Sequence, residues 1–227
     1  MIQLHQPAND DGVGLTVRPR PSVQLMKRVL VDGGHSIGQR VLVAGKGCNL
    51  LTEWLDSLGL EVDSLDTPPL ESTTGDLTQS MYDLILVDGF DQYRDSLLDL
   101  GVRLATAQFL SRLRPGGDFV VIRDAANQLI GEPSRSTSHD AICWTRHLAC
   151  FPGNLESTSF PASWFSRGTW HWLLGKGPRP SELMVSLRIP FERLTIEQWQ
   201  DHARRGLLTG STCCSESLPL AHQRRAA

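Results

Sequence analysis

Three short stretches carry residues whose type and spacing could do chemistry. The first is Val43-Ala-Gly-Lys-Gly-Cys-Asn49. Its residues Ala44, Gly45, Lys46 and Gly47 close a short apolar run and precede a helical pattern. Glycine belongs where backbone must approach a ligand closely or adopt positive φ. The helix that follows would point free N–H groups at that ligand. Lys46 does not make this a phosphate loop, which needs the spacing G-x-x-x-x-G-K-[ST]. The second is Asp66, 21 residues beyond Gly45. A carboxylate there could accept both hydroxyls of a ribose; a solvated turn acid beside Pro68-Pro69 is the other reading. The third is Asp88-Gly89, which ends the apolar run 84–87. A carboxylate at that place could orient or deprotonate a nucleophile, or simply cap the next helix. His139, further on, could serve as a base or be an ordinary exposed loop histidine.

These residues need strands and helices to bring them together. Residues 41–44 read as a buried strand entering the glycine turn, and Leu50, Leu51, Trp54, Leu55 and Leu58 recur at helical spacing up to Gly59. Residues 61–65 read as a second strand and 84–87 as a third. A helix is expected over about 95–113, with Leu97, Leu98, Val102, Ala105, Phe109 and Leu113 on its apolar face. Arg114-Pro-Gly-Gly117 is a turn signal ahead of a strand at 119–122. A helix follows at 140–150, then an antiparallel pair from 155–160 and 169–174. Thr195-Ile-Glu-Gln198 has the form of a capping box that opens a helix to Gly206. Strands alternating with helices predict an α/β fold. It is Rossmann-like, with a mostly parallel sheet, helices on both faces and an antiparallel edge pair. The expected organisation is an arm and short helix over 1–39, a core over 40–175, and a C-terminal extension over 176–227, disordered after about 207.

Composition narrows the partners. The 227 residues are 40% hydrophobic and 21% charged, as in an ordinary globular chain. A net charge of −3 gives no overall positive field, which disfavours nucleic acid. The five cysteines, Cys48, Cys143, Cys150, Cys213 and Cys214, are odd in number and form no C-x-x-C pair. That argues against a disulfide framework and a zinc ribbon and suits a reducing cytoplasm; Asp124 could join Asp88 as oxygen ligands, but no metal is expected. No apolar run approaches a membrane span, and the first residues lack the apolar stretch of a secretory signal.

The order R40-VLVAGKGCNLLTEWLDSLGLEVDSLD66, Y82-DLILVDGF90, L110-SRLRPGGDFVVI122 resembles the successive signatures of the class I S-adenosylmethionine-dependent methyltransferases. Leu113-Arg-Pro-Gly-Gly117 matches the turn that precedes the fifth strand in that family. The resemblance implies that S-adenosylmethionine is the cofactor. Its methionine end would lie at Ala44, Gly45, Lys46 and Gly47, its ribose at Asp66, its adenine by the 70–78 loop near Asp76, and the transferred methyl near Asp88 and Gly89. Asp88, with His139 as a second candidate, would then be catalytic, and the acceptor would be a small molecule. The chain departs from the family at Val43, where an acid is usual, and at Asn49, where a third glycine is usual. Only fifteen residues separate Asp66 from Tyr82, too few for the helix and strand usual there.

Three other functions stay open. A degenerate binding module with the same fold would explain Val43 and the short connection. Aminopropyl transfer resembling that of the spermidine synthases would use an acid at Asp88. A nicotinamide-dependent oxidoreductase is compatible with Gly45, Gly47 and Asp66 but leaves Leu113–Gly117 unexplained.

Overall fold

The computed structural model describes residues 26–45, 49–65, 81–88, 97, 99–123, 137–161, 173 and 181–209. Six strands, β1 (Arg40–Ala44), β2 (Glu61–Leu65), β3 (Tyr82–Asp88), β4 (Leu113–Arg123), β5 (Asn154–Pro161) and β6 (Ser181–Arg188), form one sheet in the order β2-β1-β3-β4-β6-β5. The pairs β1–β2, β1–β3 and β3–β4 are parallel. β6 runs antiparallel to both β4 and β5. Among the described residues four helices pack around the sheet: α1 (Asn49–Ser57), α2 (Leu100–Leu110), α3 (Thr137–Leu148) and α4 (Ile196–Thr209). A π-helical turn, Arg28–Asp32, precedes β1.

The apolar runs are continuous because both faces of the sheet are covered. Val41, Val43, Leu84, Leu86, Val120, Ile122 and Met184 face one way, where Leu51 and Leu55 of α1 and Met26 and Val29 meet them. Leu42, Ala44, Ile85, Val87, Phe119, Val121, Val185 and Leu187 face the other. There they bury Phe109 and Leu110 of α2, Trp144 and Leu148 of α3, and Trp199 and Ala203 of α4. Each fully buried aliphatic side chain contributes about 1.5–3 kcal/mol of transfer free energy.

Two expectations need correction. The strand that partners β5 is Ser181–Arg188, not 169–174. It is held between β4 and β5, and Leu183, Val185 and Leu187 enter the core. Of the residues 169–174, the structure describes Leu173 alone. The core therefore runs past residue 175: the supposed C-terminal extension supplies both β6 and α4, and α4 packs against α2. Residues after 209 lie outside the described ones.

The expected turn at 114–117 is a bulge inside a longer strand. Tyr82 pairs with Leu113, and Leu84 with Asp118, so the intervening residues of β4 loop out of register. Gly116 has φ of 78°, and a side chain there would strike the Phe191 ring. A Cβ on Gly117 would come within 2.9 Å of the Arg114 and Asp83 carbonyls. Both glycines are therefore required by the bulge. The Gly116 N–H donates to the Pro190 carbonyl and the Ile189 N–H to that of Gly117, which ties the bulge to the exit of β6.

The expected capping box forms. The Thr195 N–H donates to Gln198 Oε1 at 2.7 Å, and the Gln198 N–H to Thr195 Oγ1 at 3.4 Å.

Candidate functional site at the carboxyl edge of the sheet

The chain goes from β1 to β2 on one side and then crosses to β3 on the other. In open α/β sheets a ligand crevice lies at such a reversal, outside the carboxyl ends of the strands. Register shows what meets there. Ala44 pairs with Leu65 of β2 and with Val87 of β3. Ala44, Leu65 and Val87 therefore lie at one level of the sheet, and Gly45, Asp66 and Asp88 are the next residues in sequence.

Gly45 anchors the turn. It is buried, with φ of 157°, a conformation that residues with side chains rarely adopt. Its N–H donates to the Leu65 carbonyl at 3.0 Å, which fastens the turn to the residue before Asp66. Lys46, Gly47 and Cys48 bridge from there to Asn49, where α1 begins. Of the other expected site residues, Ala44 is fully buried in the core and offers backbone rather than side chain. Asp88 is the last residue of β3 and pairs with Ile122, and its side chain is outside the described part. His139 lies in the first turn of α3, likewise without a described side chain. Lys46, Gly47, Asp66, Asp76 and Gly89 lie outside the described residues, as do Trp164, Phe165, Trp170 and Trp172.

The opposite, amino edge carries a polar network that motif reading passes over. Arg188 donates to both Asp118 oxygens through Nε and Nη2, at 2.9 and 2.8 Å, and Nη2 also reaches the Gly33 carbonyl at 2.6 Å. His35 Nε2 lies 3.1 Å from Asp118 Oδ2. Burial pushes the Asp118 carboxyl up, but the hydrogen bonds from His35 and Arg188 outweigh it and hold the group below its ordinary value. Arg28 bridges Asp32 and Glu156 beside this network, which ties the residues before β1 to β5.

A second buried polar group lies between α2 and α3. His147 Nδ1 is 2.8 Å from the Leu97 carbonyl, which can only accept, so Nδ1 carries the proton. Nε2 lies 2.9 Å from Thr106 Oγ1, whose hydroxyl also reaches the Val102 carbonyl at 2.9 Å. Burial first, and the charge of Arg103 in addition, depress the His147 imidazole to about 4 against the Leu97 hydrogen bond, which works the other way. No sequence motif marks these residues; only the packing of helices far apart in sequence brings them together.

Among the described residues no helix is long and apolar enough to cross a membrane. In sequence, no protein-family model and no curated protein matches the chain. In structure it is similar to the N-methyltransferase NodS from Bradyrhizobium japonicum, at 16% identity and a TM-score of 0.44, over 74% of this chain and 93% of that one. It is similar to a putative sarcosine dimethylglycine methyltransferase from Galdieria sulphuraria, at 15% identity and a TM-score of 0.46, over 74% and 85%. It is also similar to the 16S rRNA methyltransferase RsmC of T. thermophilus, at 16% identity and a TM-score of 0.46, over 78% of this chain and 45% of that one.

The fold is Rossmann-like α/β. The parallel strands β2-β1-β3-β4, the reversed β6 between β4 and β5, and helices on both faces carry that statement by themselves. Among the described residues the outermost parallel strand is β2.

Proposed function

We propose that this chain binds S-adenosylmethionine at the β1/β3 reversal and transfers its methyl group to a small-molecule acceptor. One observation supports this most: the Gly45 turn is fastened to the end of β2 at the level where Asp66 and Asp88 follow. The residues suit a nucleoside. A glycine held at φ of 157° lets backbone approach a ligand where a side chain would intrude. An acid one residue beyond β2 can accept the two hydroxyls of a ribose. The cofactor's sulfonium would supply an electrophilic methyl group. Asp88, at the end of the neighbouring strand, would orient the acceptor and take its proton. The remaining work is positioning and exclusion of water. The net charge of −3 favours a small acceptor over RNA or DNA.

Under this reading Asp66→Ala weakens S-adenosylhomocysteine by about 1–3 kcal/mol, the scale of hydrogen bonds to a charged group. Calorimetric titration measures it, and tight binding that ignores the substitution would remove Asp66 from the site. Asp88→Asn is expected to keep cofactor affinity and lower turnover about a hundredfold, as for a lost general base. Comparing affinity with single-turnover rates separates this from a helix cap, whose loss would cost only about 1 kcal/mol of stability.

A further inference from the structure

The amino edge of the sheet, opposite the candidate cofactor site, carries an aromatic knob beside a cavity. Phe191, just past β6, is 84% exposed. Its ring lies on the backbone of Gly116, where a Cβ would meet three ring atoms at 2.5–3.2 Å. The Gly116 N–H bonds the Pro190 carbonyl and the Ile189 N–H bonds that of Gly117, so the chain leading to the ring is held to the bulge. A side chain fixed in this way has little freedom left to lose on binding. Ile37, ahead of β1 and 81% exposed, adds apolar surface along the same edge.

Two residues beyond Phe191 the chain lines a cavity of about 680 Å³. Met81 ahead of β3, Arg112 past the end of α2, and Arg193, Leu194 and Ile196 are among its walls, which hold two arginines and no carboxylate. Glu192 lies between knob and cavity in sequence and is exposed, as is Arg193. Among the described residues neither side chain forms an ion pair.

We propose that this edge is the interface of a twofold-symmetric homodimer. Phe191 of each copy enters the cavity of the other, and Glu192 of each copy meets Arg193 of the other. A knob and a hole on one face make the self-complementary patch that a twofold axis requires. An acid beside a base does the same for charge, because a twofold rotation sets each against its opposite. An aromatic anchor in a pocket, with charged groups around it, is the form that interface hot spots take. A small anion in the cavity would answer the arginines but leave the Phe191 ring in water; a second copy answers both. The candidate cofactor sites lie at the other end of the strands and stay open in such a dimer.

Sedimentation equilibrium of the full chain, from about 1 to 100 µM, reads the association. The wild type is expected to dimerise within that range. Phe191→Ser should weaken the dimer at least about thirtyfold, as for a lost central anchor. Glu192→Arg presents two bases and Arg193→Glu two acids. Each of these variants alone should stay monomeric, and an equimolar mixture of the two should form a one-to-one dimer. All three positions are exposed, so thermal unfolding should be unchanged, and the charge pair decides if Phe191→Ser does not fold. A wild type that stays monomeric at about 100 µM leaves the face to another partner and overturns the proposal. So does a folded Phe191→Ser that dimerises like the wild type, or a mixture that associates no more than its components.

Discussion

Gly47→Val abolishes binding of S-adenosylhomocysteine while the protein still folds. Three residues, Lys46 to Cys48, connect the anchored Gly45 to the first residue of α1. Under the proposed function, the backbone of this short connection ahead of α1 is what the nucleoside would meet. A branched side chain at Gly47 would occupy that surface and resists positive φ. The core should be spared, because β1 and α1 are held by the buried Val41, Val43, Leu51 and Leu55. Thermal unfolding reports the fold and titration the affinity. A folded variant with wild-type affinity would show that the turn is purely structural.

Acid lowers stability through His147, and the loss begins well above the range of carboxylates. The imidazole titrates near its ordinary 6.5 when the chain is unfolded and near 4 when folded. Between these values the unfolded chain binds a proton that the folded one refuses. The contribution is whole above pH 6.5 and disappears as pH falls to 4. A shift of this size is worth about 3 kcal/mol. Urea unfolding at a series of pH values measures it. His147→Gln should flatten the slope between pH 6.5 and 5, where carboxylates hardly titrate. An unchanged slope would mean that the imidazole accepts its proton in the folded protein. Below pH 5, protonation of Asp118, whose folded-state value is lowered, adds a further loss with the same sign.

Much of the fold was legible because local signals and packing agree. The apolar runs 41–44 and 84–87 and the alternating stretch 61–65 are each a strand, and Thr195 and Gln198 cap the helix they announce. The helix over 100–110 buries Val102, Ala105 and Phe109, the face its spacing predicts. Where reading failed, tertiary structure outweighed the local signal. Leu113-Arg-Pro-Gly-Gly117 has the residues of a turn, yet the flanking pairs with β3 draw it into one long, bulged strand. The aromatic run at 169–174 looked more like a strand than Ser181-Glu-Leu-Met-Val-Ser-Leu-Arg188 did. The alternation of Leu183, Val185 and Leu187, set off by Pro180 and Pro190, was the available signal. Of the candidate site, the glycine turn and the order of the acids could be read, because each follows an apolar strand. The Asp118–Arg188–His35 network and the His147–Thr106 contact could not. Their members lie on elements far apart in sequence, and only the sheet order and helix packing make them neighbours.

The most direct test of the account is a calorimetric titration of the full chain with S-adenosylhomocysteine, run beside one with NAD. The account predicts saturable binding of S-adenosylhomocysteine at a single site, weakened in Asp66→Ala and absent in folded Gly47→Val, with no comparable heat from NAD. Absence of S-adenosylhomocysteine binding to the wild-type chain, or saturable binding of NAD in its place, would contradict it.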